Sequence, residues 1–227
     1  MTVMAGLSAP EAVRAVPWAT LYFYISSSSR IFERWVFTVS APSNLRGVFP
    51  VPQENEPYFR FYECTFINCR ITECQLLHCT FTDCEFQDCA ITSLTTKYST
   101  LKNARFINCS LVGVHWGGLQ SRYCPAIARL SNCRMKYNSF VEMNLTKSDF
   151  SKMELIDSLF EGCSLRQTTF FQSRLDDTQF INCDLRQADF REAIGYKVDI
   201  TTCRMKAAKF SFPEAIRLLG VLEVEIT

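Results

Sequence analysis

Between Tyr62 and Ile91 the chain reads YECTFINCRITECQLLHCTFTDCEFQDCAI, with cysteines at Cys64, Cys69, Cys74, Cys79, Cys84 and Cys89. A period of five is neither a helical nor a simple strand period. It is also not a metal-ligand spacing. Two positions after each cysteine stands a large apolar residue, and this second series continues far beyond the cysteines. It runs Phe61, Phe66, Ile71, Leu76, Phe81, Phe86 and Ile91, weakens at Thr96, and continues through Leu101, Phe106, Leu111 and Trp116. It resumes at Leu130 and keeps step to Phe190, breaks at Gly195, and ends with Ile200, Met205 and Phe210. The small position ahead of each large residue holds Cys, Ala, Ser or Thr in most units. Eleven of the twelve cysteines fall there, Cys124 being the exception. The three remaining positions are mostly polar. Each unit therefore offers one large and one small residue to an interior, and three to solvent.

Fixed-period self-similarity is the signature of repeat architectures. Units such as ADFRE (188–192) resemble the pentapeptide repeat family, whose unit is commonly written A(D/N)LXX, with Cys here often in the place of Ala. The resemblance covers about residues 58–210. It implies an all-β fold, a right-handed quadrilateral parallel β-helix with four units per coil. Folded at that period, the centres after the interruption sort into columns: Phe140, Phe160 and Phe180; Leu145, Leu165 and Leu185; Phe150, Phe170 and Phe190; Leu155 and Leu175. Phe then faces Phe and Leu faces Leu across the square, which fills a narrow interior evenly. Coils stacked at about 4.8 Å would make a rod on the order of 35 Å long.

The organisation expected is an N-terminal extension or cap (1–57), the β-helix (58–210), and a C-terminal cap of a short α-helix and strand (211–227). Residues 1–57 do not fit the repeat. Trp116 and Leu130 are fourteen apart where three units would need fifteen, so a loop or distorted coil is expected over 117–129, with Gly117, Gly118 and Pro125. At the C-terminus Ser211 and Pro213 suit a helix start. Ala215, Ile216, Leu218, Leu219 and Leu222 form a short apolar face, and Leu222, Val224 and Ile226 alternate as in a strand.

The 48% apolar content argues against disorder, and 24 Lys+Arg against 23 Asp+Glu give no global polyanionic or polycationic character. Twelve cysteines at regular spacing in a chain of this length do not read as a secreted disulfide scaffold. No apolar run is long enough to span a bilayer. A soluble, cytoplasmic protein with reduced thiols is expected. Neither His78 nor His115 has a partner at catalytic or metal spacing, and there is no phosphate-binding glycine motif. Buried thiols are poor nucleophiles. The chain reads as no enzyme, with no cofactor, no metal and no small-molecule substrate.

Function must then lie on the surface. Residues 89–141 contain no Asp or Glu but seven cations, including Arg122 and Arg129, whereas 142–192 carry ten acids against six bases. Glu154, Asp157, Asp176 and Asp177 cluster at the coil period. The candidate partner-binding residues are those four acids with Arg122 and Arg129. The second half, from LVGVHW through FSFPEAIRLLGVLEVEI, is similar to family members that protect topoisomerases, the quinolone-resistance and above all the albicidin-resistance type. That resemblance implies binding to DNA gyrase or topoisomerase IV, relief of poisoning by a drug or toxin, and a homodimer through Ile216, Leu219 and Leu222. It makes the acidic second stack the DNA-like part, with direct DNA binding not expected. The competing reading is a structural or adaptor β-helix with an unrelated protein partner.

Overall fold

The computed structural model describes residues 31–33, 36–38, 44–49, 59–117, 119 and 124–222. The chain forms a four-sided parallel β-solenoid of about seven turns. We number its walls in chain order. Wall 1 carries the inward residues Phe61, Phe81, Leu101, Leu145, Leu165, Leu185 and Met205. Wall 2 carries Phe66, Phe86, Phe106, Leu130, Phe150, Phe170, Phe190 and Phe210. Wall 3 carries Ile71, Ile91, Leu111, Met135, Leu155 and Leu175. Wall 4 carries Leu76, Thr96, Trp116, Phe140, Phe160, Phe180 and Val198.

The expected columns are present. Phe160 stacks on Phe140 at 4.4 Å and on Phe180 at 4.9 Å between ring centroids. Across the square it meets Phe150 and Phe170 edge-on at 6.0 and 5.9 Å. Wall 2 and wall 4 therefore interlock through edge-to-face contacts, the arrangement that the ring quadrupole prefers. Thr96, the weak centre, is buried, and its hydroxyl donates to the carbonyls of His115 and Gly117.

The small inward position has a second duty. The Cys84 thiol donates to the Phe61 carbonyl at 3.4 Å, Cys163 to that of Phe140, and Cys183 to that of Phe160, each 23 residues back. Thr168, Ser173 and Thr178 make the same bond with hydroxyls, to Leu145, Phe150 and Leu155. Thiol and hydroxyl are interchangeable there because each is small and carries one donor. A donor at this site satisfies a buried carbonyl that would otherwise cost about 1–3 kcal/mol. The neighbouring thiols and burial push Cys84, Cys133 and Cys203 above the ordinary thiol range, and the Cys163 thiol and burial push Cys183 up to about 12.

The corners are built from left-handed residues. Among the described residues, twenty-three non-glycine residues have φ between 48° and 62°, and every one lies two positions after a centre. None is Val, Ile or Thr, the types for which that conformation is a genuine outlier. Asn and Asp recur there because their short side chains tolerate it best. In the second half many corners also close with an i→i+3 bond, as from Thr178 N–H to the Leu175 carbonyl at 2.8 Å.

Two register readings are corrected. The cross-coil offset is 20 residues from Phe86 to Phe106 but 24 from Phe106 to Leu130 and from Leu111 to Met135. Trp116 and Leu130 are thus two units apart with four extra residues, not three units with one missing. A bulge between Ala104 and Arg105, where the wall 2 ladder begins, and the bond from Ala126 N–H to the Asn144 carbonyl return the chain to register after the excess. Near the C-terminus Phe180 pairs with Val198, not with Ile200. Gly195 (φ 81°) draws the coil inward there: a Cβ on it would lie 2.5 Å from Asp176 Oδ1 and 2.9 Å from Asp176 Cα.

The first coil has strands stacked before it. β1 (Ile31–Glu33), β2 (Val36–Thr38) and β3 (Asn44–Phe49) pair in parallel with β4 (Phe59–Tyr62), β5 (Thr65–Ile67) and β6 (Arg70–Leu77). Phe32 is in register with Phe61 and Phe37 with Phe66, so one five-residue step exists in a segment whose offset to the next coil is 29 residues. At the other end the expected α-helix is a 3-10 helix, Glu214–Leu222. Its start combines a bond from Ala215 N–H to the Ser211 carbonyl with an i→i+3 bond from Ile216 to Pro213. A short helix end tightens readily to such bonds. The strand expected beyond it lies outside the described residues.

Candidate functional site

Among the described residues no group of three His, Cys, Asp or Glu could hold a metal, and no helix is long and apolar enough to cross a membrane. His78 stacks on Tyr98 at 5.1 Å, at the edge between walls 4 and 1. Cys124 is half-buried. Among the described residues, what varies from wall to wall is charge.

The four acids singled out in sequence come together. Glu154 and Asp176 project from wall 3, and Asp157 and Asp177 occupy left-handed corners on the edge between walls 3 and 4, one coil apart. Glu161 and Asp199 extend the carboxylates onto wall 4. The cations near them are ordered in the same columns. Arg134 donates to Glu154 at 2.7 Å from one coil before, and Arg174 lies 3.9 Å from it one coil after. Arg174 also donates to Asp176 at 2.5 Å. Lys136 lies 4.0 Å from Asp157, and Lys197 2.6 Å from Asp177, holding the Asp177 carboxyl below the usual carboxylate range. These pairs are solvent-exposed, and such pairs are worth about 0–1 kcal/mol each. They order the side chains more than they stabilise the rod.

Arg129 stands apart, on wall 2, 3.9 Å from Asp149. Arg122 lies outside the described residues. The basic band and the acidic stack expected along the rod are therefore not its main polarity, because bases of the first half and acids of the second meet on wall 3.

The residues that sequence reasoning missed are on wall 1, across the square. Lys147, Arg166, Arg204 and Lys206 are exposed there and make no ion pair among the described residues. Arg186 is taken up by Asp184, to which it donates twice, at 2.8 and 2.5 Å, holding the Asp184 carboxyl low. An open groove of about 570 Å³ runs over this wall, lined by Asn144, Thr146, Lys147, Ser164, Arg166 and Gln167, with Glu142, Met143 and Gly162 at its side. The signal was available: Arg166, Arg186 and Lys206 recur at the coil period, as Asp157 and Asp177 do.

The 3-10 helix packs Leu218 against the last coil and leaves Ile216, Leu219 and Leu222 39%, 40% and 49% exposed, beside Phe212 at 82%. Tyr196 is fully buried in the last coil, and burial together with nearby Glu214 pushes its hydroxyl up to about 12.

Residues 59–125 match the model of the pentapeptide repeat region, and residues 154–187 and 173–211 match that of pentapeptide repeats (8 copies). The chain belongs to the pentapeptide repeat family. No curated protein sequence matches it. Among solved structures it is similar to trypsin-treated QnrB1, a plasmid-mediated fluoroquinolone resistance protein, with 14% identity over 87% of this chain and 100% of that one and a TM-score of 0.45. It is similar as well to HetL, a protein involved in heterocyst differentiation regulation from the cyanobacterium Nostoc, with 13% identity over 78% and 84% and a TM-score of 0.41.

Proposed function

We propose that this pentapeptide repeat protein is a non-enzymatic rod that docks on DNA gyrase or topoisomerase IV in the cytoplasm and protects it from a poison of the quinolone or albicidin kind. The observation that carries the reading is the carboxylate edge between walls 3 and 4. Glu154, Asp157 and Glu161 leave one coil there, and Asp176 and Asp177 the next. Two or three charges per coil of about 4.8 Å is roughly one per 2 Å, close to the ~1.7 Å per charge of duplex DNA. Arg134, Lys136, Arg174 and Lys197 each pair with an acid of that edge, so a topoisomerase contact would use it locally rather than the rod as a whole mimic. The similarity of the second half of the chain to the albicidin-resistance type supports the same partner. The exposed Ile216, Leu219 and Leu222 support an end-to-end homodimer, since a cluster of that kind at an open solenoid end is otherwise left in water.

The test is a gyrase supercoiling titration with and without quinolone or albicidin. Rescue of the poisoned enzyme, or inhibition of the free one, is expected with wild-type protein. Neither effect at micromolar protein overturns the reading. Rescue that survives Asp157→Lys with Asp177→Lys removes the carboxylate edge from it. A monomeric wild-type protein, or a dimer unaffected by Leu219→Asp, overturns the end-to-end contact.

A further inference from the structure

Of the described left-handed corners, His78, Tyr98 and Tyr137 carry rings. A corner projects away from the interior, so a large ring there adds little to the core. Tyr98 (φ 52°) is 68% exposed on the edge between walls 4 and 1, and Tyr137 (φ 57°) is 54% exposed on the edge between walls 3 and 4. The ladder Thr95–His115–Ser139 sets the two tyrosines two coils apart, about 10 Å in height, on opposite sides of wall 4, with exposed His115 on the coil between them. Each ring has an ammonium beside it. Lys97 Nζ lies 5.4 Å from the Tyr98 centroid and Lys136 Nζ 4.6 Å from that of Tyr137. Lys102 follows Tyr98 on wall 1. Lys97 and Lys102 are exposed and make no ion pair among the described residues, while Lys136 comes within 4.0 Å of Asp157. Gly113, the corner one coil before Tyr137, brings no side chain against that ring. All these residues but His78 belong to the span 89–141, which has no Asp or Glu.

We propose that this diagonal strip across wall 4 binds a single-stranded nucleic acid, with unpaired bases stacked on Tyr98 and Tyr137 and phosphates against Lys97, Lys102 and Lys136. The pairing of exposed ring and cation, made twice, fixes the occupant. Base–aromatic stacking with a flanking positive track is how single strands are held without regard to sequence. A duplex keeps its base faces stacked inside and offers the rings nothing. An acidic peptide would meet the lysines and leave both rings unused. The strip ends where carboxylates begin, at the corners Glu142 and Asp157. It lies beside the edge assigned above to topoisomerase docking and does not depend on that assignment.

The experiment is fluorescence anisotropy of short labelled oligothymidylate and oligouridylate titrated with the full chain over a salt series. Three phosphate contacts should give log affinity a slope of about −2 on log salt, and Lys97→Gln with Lys102→Gln should reduce it to about −0.7. Tyr98→Ala and Tyr137→Ala should each weaken binding by about fivefold or more. Tyr98→Phe with Tyr137→Phe should keep it, because a stack uses the ring and not the hydroxyl. Ala207 already holds a corner at φ 60°, so alanine fits these positions, and circular dichroism checks the fold of each variant. If an alanine variant unfolds, the wild-type comparison of single strand with duplex decides. Binding of either oligomer with these losses supports the proposal, and the tighter of the two names the sugar. No binding at low salt and micromolar protein, binding unchanged in the alanine variants, or a duplex bound as tightly as the single strands overturns it. Polyglutamate that competes as well as either oligomer overturns it in favour of a surface for acidic peptides. No topoisomerase or drug enters the assay, so failure here and failure of the gyrase reading are separate results.

Discussion

Removing one ring from the middle of the rod tests how its interior is held. Phe160→Ala deletes a fully buried side chain that stacks on rings above and below and touches two more across the square. Burial and cavity together put the loss at about 3–5 kcal/mol. The upper part of that range applies, because coils on both sides are pinned by their own ladders and cannot collapse into the space. Phe210→Ala is the control. Phe210 is half-buried in the last coil, stacks on Phe190 at 5.1 Å from one side and meets Tyr196 at a tilt at 5.7 Å. Half the loss, about 2 kcal/mol, is expected there. Against a total stability of about 5–15 kcal/mol, the first change removes a large share of it and the second a modest one. Urea unfolding followed by circular dichroism reads the difference. With a slope of about 1–3 kcal/mol per molar, Phe160→Ala should lower the midpoint by more than about 1 M and Phe210→Ala by roughly half as much. Each coil touches only its neighbours, so hydrogen exchange should show the coils around Phe160 opening before those near Phe106. Equal midpoints for the two variants would refute the claim that stacking from both sides sets the cost.

Asn182 holds a corner at φ 54°, and Asn182→Val should lower the unfolding free energy by about 1–2 kcal/mol while Asn182→Gly leaves the melting temperature nearly unchanged. A Val variant as stable as Asn would show that the corner relaxes out of the left-handed region. Gly195→Ala pushes a methyl into the backbone of Asp176. It should cost more than the ~1 kcal/mol of a strained φ alone, read as a lowered melting temperature with the far N-terminal coils still protected from exchange. The Asp184 and Asp189 carboxyls are held low by Arg186 and Arg191. A depressed folded-state value adds stability above the ordinary Asp value of about 3.9, lost as pH falls through the folded value. Stability should therefore decline as pH is lowered below about 4. Asp184→Asn should flatten that decline, and an acid limb identical in the variant would remove Asp184 as a contributor.

The repeat itself was legible because a solenoid writes its interior into the chain at a fixed period. The large and small positions, the Phe and Leu columns and the packing role of the cysteines all followed from spacing five folded at twenty. The left-handed corners are visible only in the backbone angles, which explain why Val, Ile and Thr are not found at them. The four-residue insertion after Trp116 was misread, because counting along the chain cannot tell three units short of one from two units with four added. Only the ladder from Phe106 to Leu130 separates them. Phe32 and Phe37 were passed over because two units with an offset of 29 residues do not make a visible period.

Charge shows the division most clearly. Sequence order placed bases before acids and so implied a rod polar along its length. Coiling stacks residues twenty apart and separates those five apart by a right angle. Arg134 therefore meets Glu154, while Arg166, five units from Arg191 but one coil from Arg186, joins a basic wall. The chain determined which residues go in and which come out, since burial depends on local pattern and size. The tertiary structure alone decided which outward residues share a face, because that depends on the register of the coils and on every insertion that shifts it.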